Sequence, residues 1–177
     1  KDGYTKMFEK IYDHENIEVQ LETSFDYWME GDYDYVFNSM PIDQYFGNRH
    51  GELPYRSIKF HNVTLNQTRV LPTGTVNFTH DGPFTRVTEW KNIANHGTND
   101  YKTVLTYEEP CDYKDNNMER YYPVQDVEGT NRDTYKKYKD MVDESKMQFI
   151  GRCGQYVYID MHMAVSGALA TARKFLK

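Results

Sequence analysis

The stretch YRSIKFHNVTL, residues 55–65, is dominated by β-branched and aromatic residues and lies between Pro54 and Asn66. That composition fits a pleated, half-buried surface. The same signature recurs in DYVFNS (34–39), GTVNFTH (74–80), TRVTEWKNI (85–93) and KTVLTYEE (102–109), each broken off by Gly, Pro or Asn. Between Tyr33 and Pro110 the chain therefore predicts an antiparallel sheet. One exception interrupts it: PIDQYFG (41–47) reads as a single helical turn started by Pro41 and stopped by Gly47.

Outward from the sheet the period changes. GYTKMFEKIYDH (3–14) sets Tyr4, Met7, Phe8, Ile11 and Tyr12 at the spacing of one helix face. NIEVQLET (16–23) alternates Ile17, Val19 and Leu21 with polar residues, which predicts a half-buried strand. NRDTYKKYKDMVDESKM (131–147) returns to helical spacing, as a solvated helix capped near Thr130 or Asn131. MQFIGRCG (147–154) reads as a short strand ending in a glycine turn. A last helix starts near Asp160, with Val165, Ala168, Leu169, Ala172 and Phe175 on one apolar face. The expected class is α+β, a mixed and mainly antiparallel sheet with a few helices, and no internal repeat or low-complexity linker divides it.

At 177 residues the chain is long enough to bury a core. Hydrophobic residues make up only 38%, yet Tyr occurs 16 times, so much of the interior must consist of side chains with a polar tip. A net charge of −6 excludes a basic nucleic-acid groove. Any anion site must then be a local cluster of Arg. Two cysteines, Cys111 and Cys153, make neither a disulfide framework nor a zinc site and fit reduced thiols in a cytoplasmic protein. No run of about 18 apolar residues reads as a membrane span. The sequons at Asn62, Asn66 and Asn77 fall in Thr-rich segments that generate such matches by chance.

Polar chemistry concentrates in GRCGQYVYIDMHMAVSGALA (151–170). Asp160 suits an N-cap, but a helix start also offers free N–H groups and a positive dipole end to an anion. Gly151 and Gly154 would let a ligand approach the backbone, with Arg152, Tyr156 and Tyr158 as donors beside it. LPYRS supplies Arg56, GPFTRVTEWK supplies Arg86, and RYYPV holds Tyr121 and Tyr122 ahead of Pro123. An Arg fork binds phosphate in bidentate geometry, and a Tyr hydroxyl adds a neutral donor. No Gly-x-Gly appears, hence neither a Rossmann fingerprint nor a P-loop. The six His show no metal-ligand pairing on a helix.

In order and spacing, KDGYTKMFEKI, PIDQYFG, LPYRSIKF, TVNFTHDGPFTRVTEWK, RYYPV and IGRCGQYVYIDMHMAV together resemble the C-terminal half of bacterial UDP-galactopyranose mutase. The resemblance implies a flavoenzyme that interconverts UDP-galactopyranose and UDP-galactofuranose for galactofuranose-containing cell-surface glycans. In that family the reduced flavin attacks the anomeric carbon as UDP leaves, and an open-chain sugar adduct recloses in the other ring size. The protein then needs no nucleophile of its own; it positions and supplies electrostatics.

By motif, the resemblance assigns Arg86 to the substrate diphosphate, Arg56 to a second active-site arginine, and one of Tyr121 and Tyr122, with Tyr158, to the diphosphate. It assigns Arg152 and Gly151 to the flavin's neighbourhood and Asp160 and Met161 to the helix start beneath it. It also implies residues 1–30 as a helix–strand segment of the FAD-binding domain, 31–125 as the substrate-domain sheet, and 126–177 as the segment closing the FAD-binding domain. The sequence departs from the family pattern in three places: NFTHDGPFTR is one residue shorter than usual, and Trp90 and Cys153 stand where His and Leu are common.

The family's Gly-rich fingerprint and mobile loop are missing, so the resemblance predicts a truncated piece, inactive alone and weak in holding FAD, whose cut surface could drive a homo-oligomer. Two other readings stay open. One is a non-catalytic nucleotide-sugar or glycan-binding module, since Tyr-rich sheets bind sugars by stacking. The other is a structural domain in which Arg56, Arg86 and Arg152 are surface ion pairs.

Overall fold

A computed structural model describes residues 3–94 and 96–177. The chain divides into two compact units, Lys1–Asp34 and Tyr35–Lys177. In the first, α1 spans Gly3–Tyr12 as its periodicity predicts, and Phe8 and Tyr12, one turn apart, stack with ring centroids 5.9 Å apart. A 3-10 turn follows at Tyr27–Asp32, entered by Asp26, whose carboxylate accepts the Tyr27 N–H at 2.7 Å. The strand expected at NIEVQLET does not form. These residues are exposed and, among the described residues, no segment pairs with them. Alternation makes a strand only where a neighbour takes its N–H and C=O groups.

The second unit is built on five strands in the order β3-β4-β5-β2-β6: β2 Tyr55–Leu65, β3 Thr75–Asn77, β4 Arg86–Glu89, β5 Thr103–Asp112 and β6 Tyr122–Pro123. Every pairing in it is antiparallel, which gives the α+β class read from the sequence. The long pair runs from Arg56↔Asp112 to Leu65↔Thr103. Pro110 sits inside β5 but past Glu108, the last residue paired with β4, so its missing N–H falls where β5 has a single neighbour.

DYVFNS joins a different sheet from the one predicted. β1, Val36–Asn38, pairs in parallel with β7, Met147–Phe149, from Val36↔Met147 to Asn38↔Phe149. Apolar and β-branched content makes a strand in either sense; which partner it takes depends on where Ile150 and Met147 return in space. Ile150 donates its N–H to the Asn38 carbonyl at 2.9 Å and extends the pairing.

Four α-helices punctuate this unit among the described residues. α2 is the one turn predicted, Ile42–Tyr45, entered from Pro41 and followed by Gly47 at φ 61°. α3 is Thr130–Lys139, but its cap is neither Thr130 nor Asn131: Gly129 stands at the N-cap and the Asp126 carboxylate accepts the N–H groups of Thr130 and Asn131 at 2.8 and 3.0 Å. Those two bonds hold the Asp126 carboxyl below its usual range. After β7 the expected glycine turn is a one-turn helix, α4, Gly151–Gly154, and α5 spans Met161–Phe175.

The core is tyrosine-rich as composition requires. Ile42, Tyr45, Leu53, Tyr55, Tyr113, Tyr138, Met147, Phe149 and Tyr156 are buried together. Their hydroxyls find carbonyls: Tyr138 donates to Gly51 at 2.7 Å while accepting the His50 N–H, Tyr55 donates to Cys153 at 3.2 Å, and Tyr156 reaches Val124 at 2.7 Å. Burial drives the Tyr55 and Tyr156 hydroxyls far above their ordinary values, so both stay neutral donors. Tyr138→Phe removes one donor and strands the His50 N–H. We expect a loss of about 1–3 kcal/mol in urea unfolding, and an unchanged midpoint would contradict the role given to this hydroxyl.

Candidate functional site

Side chains alternate across a strand, so the register decides which residues share a face. Arg56, Ile58 and Phe60 of β2 stand on one face with Asp112, Pro110 and Glu108 opposite them on β5. Arg86 of β4 pairs with Glu108, and Tyr122 of β6 pairs with Arg56. On this face an open groove of about 410 Å³ is lined by Arg56, Ile58, Arg86, Pro110, Tyr122 and Tyr158. Four of the five residues assigned to the diphosphate thus meet in one place. Tyr121, the fifth, turns toward Phe60, with ring centroids 6.3 Å apart, while its N–H donates to the Arg56 carbonyl.

The two groove arginines differ in how they are held. Arg86 forms an ion pair with Glu108, its Nε 2.8 Å from Oε2, and its terminal nitrogens carry no hydrogen bond among the described residues. The Arg56 guanidinium is exposed and likewise without a side-chain partner among them. Glu108 therefore offsets Arg86, whereas Arg56, although Asp112 is its cross-strand partner, makes no ion pair among the described residues and keeps its positive charge toward the groove.

Arg152 adds to that charge. Its Nε and Nη2 donate to the Ile159 carbonyl at 3.2 and 2.5 Å and its Nη1 to the Tyr121 carbonyl at 2.7 Å. Carbonyls satisfy its donors without neutralising its charge. The guanidinium lies 5.4 Å from the Tyr122 ring centroid and 5.0 Å from that of Tyr158, and these two rings stack on each other at 5.4 Å. Arg152→Ala should release the Tyr122–Tyr158 pair. Near-UV circular dichroism should lose tyrosine signal while the far-UV spectrum stays; a spectrum identical to wild type would show that the pair stands without the guanidinium.

The junction at 151–161 has local reasons of its own. Gly151 takes φ 72°, a conformation that glycine tolerates. Gly154 opens no approach for a ligand: a Cβ there would meet the Asn38 carbonyl oxygen at 3.0 Å and the Phe149 side chain at 3.4 Å. Asp160 occupies the N-cap position of α5, yet its carboxylate makes no capping hydrogen bond, and both Asp160 and Met161 are exposed. The first amides of α5 thus keep their donors without a side-chain acceptor. Burial pushes the Cys153 thiol up, against the opposing pull of Arg120 and Arg152, which disfavours the reactive thiolate.

Two residues escaped sequence reasoning. Glu108 orients Arg86, but only the cross-strand register reveals it. Arg120, next to the tyrosine pair, places its guanidinium over the Tyr113 and Tyr55 rings. Among the described residues no group of three or more His, Cys, Asp or Glu could hold a metal ion, and no helix is long and apolar enough to cross a membrane.

Residues 1–158 match the family model for UDP-galactopyranose mutase. The chain is 34% identical over 180 residues to a protein of Klebsiella pneumoniae named "Probable UDP-galactopyranose mutase", covering 98% of this chain and 44% of that one. It is 29% identical to the UDP-galactopyranose mutase of Mycoplasma pneumoniae, over 100% of this chain and 47% of the relative. A dTDP-fucopyranose mutase of Escherichia coli is 30% identical, over 100% and 48%. The chain spans about half the length of the curated relatives it matches.

Proposed function

The chain belongs to the UDP-galactopyranose mutase family, and from that premise we propose that its groove holds the diphosphate of UDP-galactopyranose and UDP-galactofuranose during their interconversion. The observation that carries this reading is the convergence of Arg56, Arg86, Tyr122 and Tyr158 on one groove. Two guanidinium forks and two phenol hydroxyls match the acceptor-rich surface of a diphosphate. Holding the UDP leaving group while the sugar changes ring size is a task of position and charge, not of covalent chemistry by the protein. Glu108 fixes Arg86 by Nε and leaves its terminal nitrogens for the ligand. Tyr122 rather than Tyr121 is the diphosphate tyrosine in this reading.

The cofactor of this reading is FAD. The open start of α5, with Asp160 and Met161 exposed and the carboxylate not spent on a cap, fits one edge of such a group. Gly151, Asp160 and Met161 would line it, and Arg152 would stand behind Tyr158 rather than spend its donors on the flavin. When bound and reduced, the flavin would supply the nucleophile that the chain lacks. The residues of this chain hold the diphosphate and orient the sugar toward that edge.

The test joins the chain to the part of the Klebsiella pneumoniae relative that it does not cover. Flavin absorbance is read first, then conversion of UDP-galactofuranose to UDP-galactopyranose under dithionite. Turnover that collapses in Arg86→Ala supports the proposal. A folded, yellow chimera without turnover counts against it.

A further inference from the structure

Arg120 sits at an odd place for a cation. Its guanidinium lies 4.5 Å from the Tyr113 ring centroid and 5.6 Å from that of Tyr55, two side chains that are themselves fully buried. Its Nε is buried without a hydrogen-bond partner among the described residues. Among the described residues only Nη1 finds acceptors, the Gln44 side chain and the Met118 carbonyl, both at a long 3.4 Å. Such a group is poorly satisfied for a stabilising one, since a buried donor left unpaired costs stability. An apolar side chain of similar length would suit the same rings as well or better.

The loop that ends in Arg120 explains what the residue does. From the turn at Tyr113–Asp115 the chain passes Asn117 at φ 53° and Met118 at φ 63°, two consecutive left-handed residues that are not glycine. It must then deliver Tyr121 and Tyr122 in register with Arg56. The guanidinium folds back over Tyr113, where the loop began, and bridges to Gln44 of α2. The Arg120 carbonyl meets the Cys153 thiol at 3.9 Å, and the next carbonyl, Tyr121, accepts from Arg152. Past these contacts the backbone enters β6 through the Tyr121 N–H to Arg56 and the Val124 N–H to Pro54.

We propose that Arg120 is a positioning residue: it staples the strained loop 116–120 onto Tyr113 and Tyr55, and so sets the place of Tyr122 in the groove at some expense to stability. The proposal rests on the diphosphate reading for its binding consequence only. It separates two properties that a structural residue would move together.

The experiment compares Arg120→Met and Arg120→Lys with the wild-type chain in three readouts: urea unfolding, amide exchange by NMR, and UDP affinity by calorimetry. For Arg120→Met the unfolding midpoint should stay or rise. Exchange of the Tyr121 and Val124 amides should quicken by about tenfold or more, while that of Leu105 in β5 holds. UDP affinity should fall about tenfold, the consequence of one misplaced contact. Arg120→Lys, which keeps the charge but not the planar guanidinium over the rings, should fall between. Uniformly faster exchange with a lowered midpoint would make Arg120 a plain structural residue and overturn the proposal, as would unchanged exchange at Tyr121 and Val124. A wild-type chain that ignores UDP would sink the diphosphate reading, and the exchange data would still decide the role of Arg120.

Discussion

Arg86→Ala should weaken UDP binding by this chain about 10- to 150-fold, the equivalent of roughly 1.5–3 kcal/mol for a hydrogen bond to a charged group. Two effects add. The substitution deletes the terminal nitrogens that face the groove, and it leaves the Glu108 carboxylate, paired at 2.8 Å in the wild type, as an uncompensated anion beside the ligand. Arg86→Ala combined with Glu108→Gln should therefore recover part of the loss, because the repulsion goes while the missing fork stays missing. Arg86→Lys should restore little, since an ammonium is a point charge that cannot serve both Glu108 and a phosphate in the plane of one fork. Calorimetry at low salt reads all three. Affinities within about threefold of wild type for the alanine variant would remove Arg86 from the groove's function.

Glu89→Ala should be the most damaging single change to stability. The side chain is fully buried at the end of β4 and accepts from the Thr103 hydroxyl at 2.6 Å, the Leu71 N–H at 2.6 Å, the Val70 N–H at 3.1 Å and the Asn92 amide at 2.9 Å. One carboxylate thus ties the segment before β3, the turn after β4 and the start of β5. Each buried donor left unpaired costs about 1–3 kcal/mol, so the alanine variant should lose about 3 kcal/mol or more. Burial pushes the Glu89 carboxyl up, but the bonds from Thr103, Leu71, Val70 and Asn92 outweigh it and hold the group below the ordinary 4.5. The folded value is the lower one, so protons favour the unfolded chain. Its contribution is complete above about pH 4.5 and drains away as pH falls below the folded value. The gap in stability between wild type and Glu89→Gln should accordingly narrow in acid. A gap that is small at pH 7, or that widens on acidification, would refute this account of the carboxylate.

Much of this architecture was legible because periodicity and propensity act locally. β2, β3, β4 and α2 fall within the segments that announced them, β5 runs three residues past its own, and the tyrosine content foretold a core full of hydroxyls. What the sequence hid is non-local. NIEVQLET has the right alternation but no partner among the described residues, whereas DYVFNS finds its partner about 110 residues away by a parallel pairing that no local pattern encodes. The helix start after Gly129 is served from Asp126, outside the usual cap position, and so the adjacent Thr130 misled.

The groove divides along the same line. Arg56, Arg86, Tyr122 and Tyr158 stood out by type and motif, but Glu108 faces Arg86 only through the register of two strands. Arg152 stood out by motif as a flavin neighbour, but its targets, the Ile159 and Tyr121 carbonyls, are backbone groups without any sequence signature. Arg120 went unremarked beside the tyrosines because cationic side chains on loops are ordinarily solvated.

The central claim is that these residues form a diphosphate site, and titration of the chain with UDP, pyrophosphate and free galactose tests it most directly. UDP and pyrophosphate should bind competitively at one site, with affinity that falls as salt is raised, and galactose alone should not bind. Binding of galactose with indifference to UDP and pyrophosphate would contradict the claim and make the aromatic sheet a glycan platform instead.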